Sequence, residues 1–184
     1  AAYSRVSGRL GVACVTAGPG ATNAVPGLSE AFVDSSPALI ISGQVDLKHT
    51  TIKTKLKNIR TFGTAEINIE PIVKPLTKYA KTIFEPNEIR YHLERAYHEC
   101  TSGRPGPVWL DIPLDIQNAK INLKNLRGYS ARKEKKNKFS ISLKTIQKYL
   151  SKSKKPIIVC GQGVKISKTF KLIYKKFSKK FKIP

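Results

Sequence analysis

The segment Val15-Thr-Ala-Gly18-Pro19-Gly20-Ala-Thr-Asn23 has the glycine density of a loop that meets a ligand with its backbone. A phosphate loop of the nucleotide-triphosphate type needs a Lys followed by Ser or Thr directly after its last glycine, and this segment has no Lys and no such pair. The dinucleotide fingerprint G-x-G-x-x-G fails as well, because Asn23 stands at the position of its last glycine. What remains is narrower chemistry. Gly18 and Gly20 allow close approach of a flat group, Pro19 stiffens that approach, and Asn23 offers an amide that both donates and accepts. This set suits a heterocycle better than a triphosphate. Asp111 and Asp115 straddle Pro113 and suggest a carboxylate pair, but an extended chain spreads them by roughly 13 Å, so capping contacts are expected instead. His49, His92 and His98 share no helix face and are read as surface or packing residues. Cys14, Cys100 and Cys160 stand singly, without metal-ligand spacing, and are read as reduced core thiols of a cytoplasmic protein.

The elements that must position these residues follow from the apolar pattern. Gly11–Val15, Pro37–Ile41 and Val108–Ile112 are short β-branched runs that read as buried strands, and Tyr79–Phe84 has strand character. Gly20–Val33 reads as a helix with Pro26 in its first turn and Leu28, Ala31 and Phe32 on one face. Asn87–Cys100 reads as an amphipathic helix with Ile89, Leu93, Ala96 and Tyr97 inward. Strand, helix and strand within about thirty residues is the signature of a parallel sheet. The fold class is therefore α/β, a parallel doubly wound sheet followed by the start of a Rossmann-like domain. The boundaries expected are 1–119 for the first domain, 120–140 for a basic linker and 141–184 for the beginning of the second. In the latter, Ile141–Leu150 reads as a helix, Pro156–Cys160 as a strand and Lys168–Phe181 as a further helix.

Longer motifs carry a resemblance. "GRLGVACVTAGPGATNAVPGLSEAFVDSSPALIISGQV" and, about sixty residues later, "TSGRPGPVWLDIPLDIQ" resemble the pyrimidine-binding domain of thiamine-diphosphate enzymes, most closely acetolactate synthase large subunits. "KKPIIVCGQGV" resembles the opening of that family's central domain. The resemblance implies a carboligase that decarboxylates a 2-oxo acid such as pyruvate and adds the two-carbon unit to a second carbonyl. It implies that Gly18, Pro19, Gly20, Asn23 and Gln44 face the aminopyrimidine of thiamine diphosphate, and that Arg104, Gly161 and Gly163 face FAD. It places the catalytic glutamate a few residues before Ala1 and the Mg2+ and diphosphate motif in a later domain, so no catalytic or metal residue is expected within this chain. It implies a homodimer or homotetramer, with a regulatory small subunit as a further partner. The absence of any methionine, with a helix end at Ala1 and a cut strand at Lys182–Pro184, reads as an internal fragment that is inactive alone.

Two departures bear on the acceptor. The family's "FQE" after "GQV" is missing, and Pro113-Leu114-Asp115 stands where many members have "PKD". This leaves open a relative of surface-polysaccharide pathways that transfers the two-carbon unit to a keto sugar. No apolar run is long enough to span a bilayer. The net charge of +22 is regional: residues 1–119 hold 13 Lys/Arg against 11 Asp/Glu, and residues 120–184 hold 21 against one. A basic nucleic-acid-binding protein is the alternative from another class. The run is rich in lysine, poor in arginine and without an aromatic stacking rhythm, which favours a solvated face over a nucleic-acid partner.

Overall fold

A computed structural model describes residues 1–54, 58–131 and 143–167. The chain divides into two compact units, residues 1–132 and 133–184.

In the first unit, helix α1 (Ala2–Ser7) leads into strand β1 (Gly11–Val15). Helices α2 (Pro19–Thr22) and α3 (Val25–Val33) connect it to β2 (Ala38–Gln44). A short α4 (Thr51–Thr54) and α5 (Ile69–Val73) precede β3 (Tyr79–Thr82). Helix α6 (Ile89–Thr101), β4 (Val108–Pro113) and α7 (Leu114–Asn118) complete it. The four strands form one sheet in the order β1-β2-β4-β3, with every pairing parallel. The register sets Gly11 beside Ala38, Leu39 beside Val108 and Tyr79 beside Val108.

Helices cover both faces of the sheet at its central strands β2 and β4, as a parallel sheet with helical crossovers requires. On one face Ala21, Leu28 and Ala31 from α2 and α3, with Ile69 and Val73 from α5, pack on Ile40 and Trp109. On the other, Ala96 and Cys100 of α6 pack on Leu39, Val108 and Leu110. Ser4 locks α1 to this layer: its hydroxyl donates to the Pro37 carbonyl at 2.5 Å and accepts from the Gly11 amide at 2.9 Å.

The helix faces differ from expectation in detail. The helix expected over Gly20–Val33 is broken at Asn23–Ala24, and Phe32 is exposed. On α6 the buried residues are His92, Ala96 and Cys100, while Leu93 and Tyr97 face out. His92 can turn inward because the Tyr79 hydroxyl lies 2.6 Å from its Nδ1, which satisfies a ring nitrogen that would otherwise be stranded. Of the three cysteines only Cys100 is buried. Cys14 is exposed because β1 ends the sheet and its middle residues are uncovered.

In the second unit the described elements are α8 (Leu143–Lys152) and α9 (Gln162–Ile166). Pro156–Cys160 forms no strand; Ile157 and Val159 are exposed, as is Cys160. An apolar run becomes a strand only by hydrogen bonding to a neighbour, and no described segment of this unit supplies one. The helix expected over Lys168–Phe181 lies outside the described residues.

Candidate functional site

The carboxyl ends of parallel strands are where open α/β sheets hold ligands. A cleft of about 620 Å³ lies there. Thr16 and Ala17 follow β1, Pro19 and Gly20 open α2, and Gly43, Gln44 and Val45 end β2. Thr64 and Ala65 come from the loop before α5, and Leu114 and Gln117 from α7. No lining residue is ionisable.

The "AGPG" turn owes its shape to this loop. Gly18 has φ +58°, and a Cβ there would sit 2.0 Å from the Ala65 carbonyl oxygen. Its glycine is required by the packing of two protein segments, while Pro19 and Gly20 line the cleft itself. At Gly20 a Cβ would meet only the mobile Thr16 methyl, at 2.4 Å. Gly43 has more room, its nearest neighbour being the Gln117 amide nitrogen at 3.7 Å.

Glu66 holds the Ala65 loop in place. It is buried, and one carboxylate oxygen accepts from the Thr51 amide at 2.9 Å and the Thr51 hydroxyl at 2.6 Å. The other accepts from the Phe62 amide at 3.0 Å. Burial pushes its pKa up, but the donors from Thr51, Phe62 and Gly63 together outweigh burial and hold it below the usual glutamate value.

Behind the cleft lies a buried polar chain that motif reading does not reveal. The Trp109 indole N–H donates to Ser42 Oγ at 2.8 Å, and Ser42 donates to Asp111 Oδ1 at 2.5 Å. Asp111 Oδ2 accepts from Thr82 Oγ1 at 3.4 Å and from Gln44 Nε2 at 3.5 Å. Burial raises the Asp111 pKa to about 6, against the opposing pull of Ser42, Gln44 and Thr82. The sequence signal was a carboxylate inside the apolar run Val108–Pro113: a buried charge there has to find partners on adjacent strands. Asp115, by contrast, caps: its carboxylate accepts the Leu47 amide and its neighbour Ile116's amide, each at 3.0 Å.

The residues singled out from the sequence therefore separate. Pro19, Gly20 and Gln44 meet at the cleft, with Gly18 as its buttress. Asn23 ends α2 and lines a different groove of about 520 Å³ beside β1, α1 and α3. Arg104 precedes β4 and donates through Nε to Ser35 Oγ at 2.6 Å, at the amino ends of the strands. Six residues of strand separate those ends, about 20 Å. Gly161 caps α9 in the second unit, with Gly163 inside that helix, and a Cβ on either would meet nothing within 4 Å. His49 lies near Asp46, and His98 packs against Tyr129. Among the described residues no three His, Cys, Asp or Glu gather as metal ligands, and no helix is long and apolar enough to cross a membrane.

Residues 1–88 match the family model described as thiamine pyrophosphate enzyme, N-terminal TPP binding domain. With the parallel sheet, this match makes residues 1–88 a thiamine-pyrophosphate-enzyme N-terminal domain. The chain is also similar to acetolactate synthase large subunits. It is 36% identical over 173 residues to the probable acetolactate synthase large subunit of Methanocaldococcus jannaschii, covering 90% of this chain and 27% of that protein. It is 35% identical to the acetolactate synthase large subunit of Lactococcus lactis, covering 99% of this chain and 30% of that protein. The chloroplastic acetolactate synthase of Arabidopsis thaliana is 36% identical over 88% of this chain and 23% of its own length. The chain thus spans less than a third of the length of these relatives.

Proposed function

We propose that this chain supplies the aminopyrimidine wall of a thiamine-diphosphate carboligase of acetolactate synthase type, which decarboxylates pyruvate and joins the two-carbon unit to a second 2-oxo acid. The observation that carries this reading is the uncharged cleft at the strand ends, bounded by Pro19, Gly20 and Gln44. A neutral heterocycle fits such a lining, whereas a diphosphate with its metal demands cations and carboxylates that the lining lacks. When bound, thiamine diphosphate would supply the electron sink that decarboxylation and carbon–carbon bond formation need. In this chain Pro19 and Gly20 present a flat backbone surface, and Gln44 supplies a fixed amide. Asn23 is kept as a cofactor contact on the resemblance of its motif.

Mg2+ and the diphosphate are assigned to residues outside this chain, as is the glutamate that activates the pyrimidine. FAD is assigned on resemblance to Arg104 in the first unit and to Gly161 and Gly163 in the second. The working assembly is a homodimer or homotetramer, with a small regulatory subunit as a further partner, in the cytoplasm. Leu114 lies in the cleft wall, at the position where the family pattern of the resemblance has lysine, which supports a second reading in which a keto sugar is the acceptor.

The test is to incubate the complete gene product with thiamine diphosphate, Mg2+ and pyruvate, and to measure carbon dioxide and acetolactate. Both are expected. Carbon dioxide released only when a keto sugar is added would move the assignment to the second reading. A cofactor-loaded protein that leaves pyruvate untouched under both conditions would refute the function.

A further inference from the structure

Gln44 has little freedom left. Its Nε2 has two hydrogens, and two acceptors face it: the Ile67 carbonyl at 2.8 Å and Asp111 Oδ2 at 3.5 Å. Its Oε1 accepts the Val45 amide at 3.1 Å. One lone pair of Oε1 is the only hydrogen-bonding capacity of this side chain not taken up by the protein.

The direction of the neighbouring bonds is settled by valence. The indole N–H of Trp109 can only donate, so Ser42 accepts from it and turns its single proton to Asp111. Asp111 Oδ1 accepts that proton, and Oδ2 is the oxygen that faces Thr82 and Gln44.

Building on the cleft as the heterocycle's site, we propose that Asp111 is a positioning residue: it fixes the orientation of the Gln44 amide so that Oε1 is the atom offered to the cleft. The ligand group that meets Gln44 must then be a donor, an amino or ring N–H group. A carbonyl or phosphate oxygen is rejected there. Asp111 touches no ligand and acts entirely through Gln44.

Asp111→Asn preserves shape and removes the acceptor. If its oxygen stays with Ser42, its amide hydrogens point at those of Gln44. Gln44 must then move or turn, although Ile67 and Val45 hold it in the original sense. Ser42→Ala is the control, since it cuts the link to Trp109 and leaves Oδ2 facing Gln44.

The experiment measures thiamine diphosphate affinity, with Mg2+, of the complete gene product, together with the side-chain amide NMR signal of Gln44. D111N is expected to weaken binding about tenfold or more, which is about 1.4 kcal/mol, and to shift the Gln44 signal. S42A is expected to change binding less than about threefold and to leave that signal in place. In a Gln44→Ala background D111N should cost nothing further. Equal losses in D111N and S42A, or an undiminished loss in the Gln44→Ala background, would overturn the proposal. Failure of the wild-type protein to bind thiamine diphosphate would sink the functional reading, and an unmoved Gln44 signal in D111N would still sink the positioning role separately. If D111N does not fold, a pH series on the wild type replaces it. The groups facing Asp111 are Ser42 and Gln44 from β2, Thr82 from β3 and Glu70 from α5, so Glu70 is the other ionisable group. The Gln44 signal should move as Asp111 takes up its proton near pH 6, and a signal that stays fixed through that range overturns the assignment.

Discussion

At the scale of single residues, the cleft depends on two groups that never face it. Gly18 holds a positive φ with the Ala65 carbonyl against it. Gly18→Ala forces a methyl into that oxygen and strains the backbone, so stability should fall by at least about 2 kcal/mol. The check is a lower denaturant midpoint at unchanged slope. Gly43→Ala, with no neighbour closer than 3.7 Å, should be far milder. Glu66 adds a pH dependence of defined sign. Its folded pKa lies below the ordinary value of 4.5, so its contribution is present above that value and is lost as pH falls through the folded one. Glu66→Gln should cost roughly 1–3 kcal/mol at neutral pH, because one amide oxygen cannot serve the donors that two carboxylate oxygens serve. The gap between wild type and variant should narrow as the solution is acidified below 4.5 and through the lower folded value. A gap that widens in acid would mean that Glu66 is not held as an anion.

At the scale of elements, α6 gives the sharpest comparison. Ala96 is fully buried against the sheet, whereas Tyr97 is 59% exposed. Ala96→Glu should therefore cost about 3 kcal/mol or more, and Tyr97→Glu no more than about 0.5, read from thermal or chemical unfolding. Hydrophobicity alone ranks these positions the other way. The four strands were legible because short β-branched runs bounded by Gly and Pro have few alternatives, and the parallel arrangement followed from the spacing of strand, helix and strand. The inward face of α6 was not, because His92 turns inward with its Nδ1 met by the Tyr79 hydroxyl, thirteen residues away in sequence. The same limit applies to the site. Pro19 and Gly20 could be placed from local pattern, and Gln44 from the resemblance that its motif carries. Thr64, Ala65 and Gln117 reach the cleft through loop and helix geometry that no short motif encodes. Asp111 was visible as a carboxylate in an apolar run, but its partners lie on two other strands.

At the scale of the whole molecule, the charge separates along the chain. Residues 1–119 are nearly neutral at +2, and residues 120–184 carry +20, with Glu134 the one acidic residue among them. A charge density of that kind attracts any polyanion at low ionic strength, whatever the protein's task. Task-specific nucleic-acid binding would add arginine forks, and arginine is sparse here. Arg127 and Arg132 are the arginines of the region, and the Arg127 guanidinium already lies over the Tyr91 ring at 5.3 Å. The lysines Lys144, Lys148, Lys152, Lys154 and Lys155 are all exposed, each a hydrated point charge. Binding to duplex DNA should therefore be purely electrostatic. It should fall along a straight line in log affinity against log salt, be insensitive to sequence, and be negligible at about 0.15 M salt. Fluorescence anisotropy with two unrelated duplexes across a salt series measures this directly. Affinity that survives physiological salt, or that distinguishes the duplexes, would make nucleic acid a partner in its own right and the cleft a secondary feature. Binding that vanishes equally for both leaves the basic region as solvated surface, and the cleft at the strand ends as the part of the first unit suited to a specific ligand.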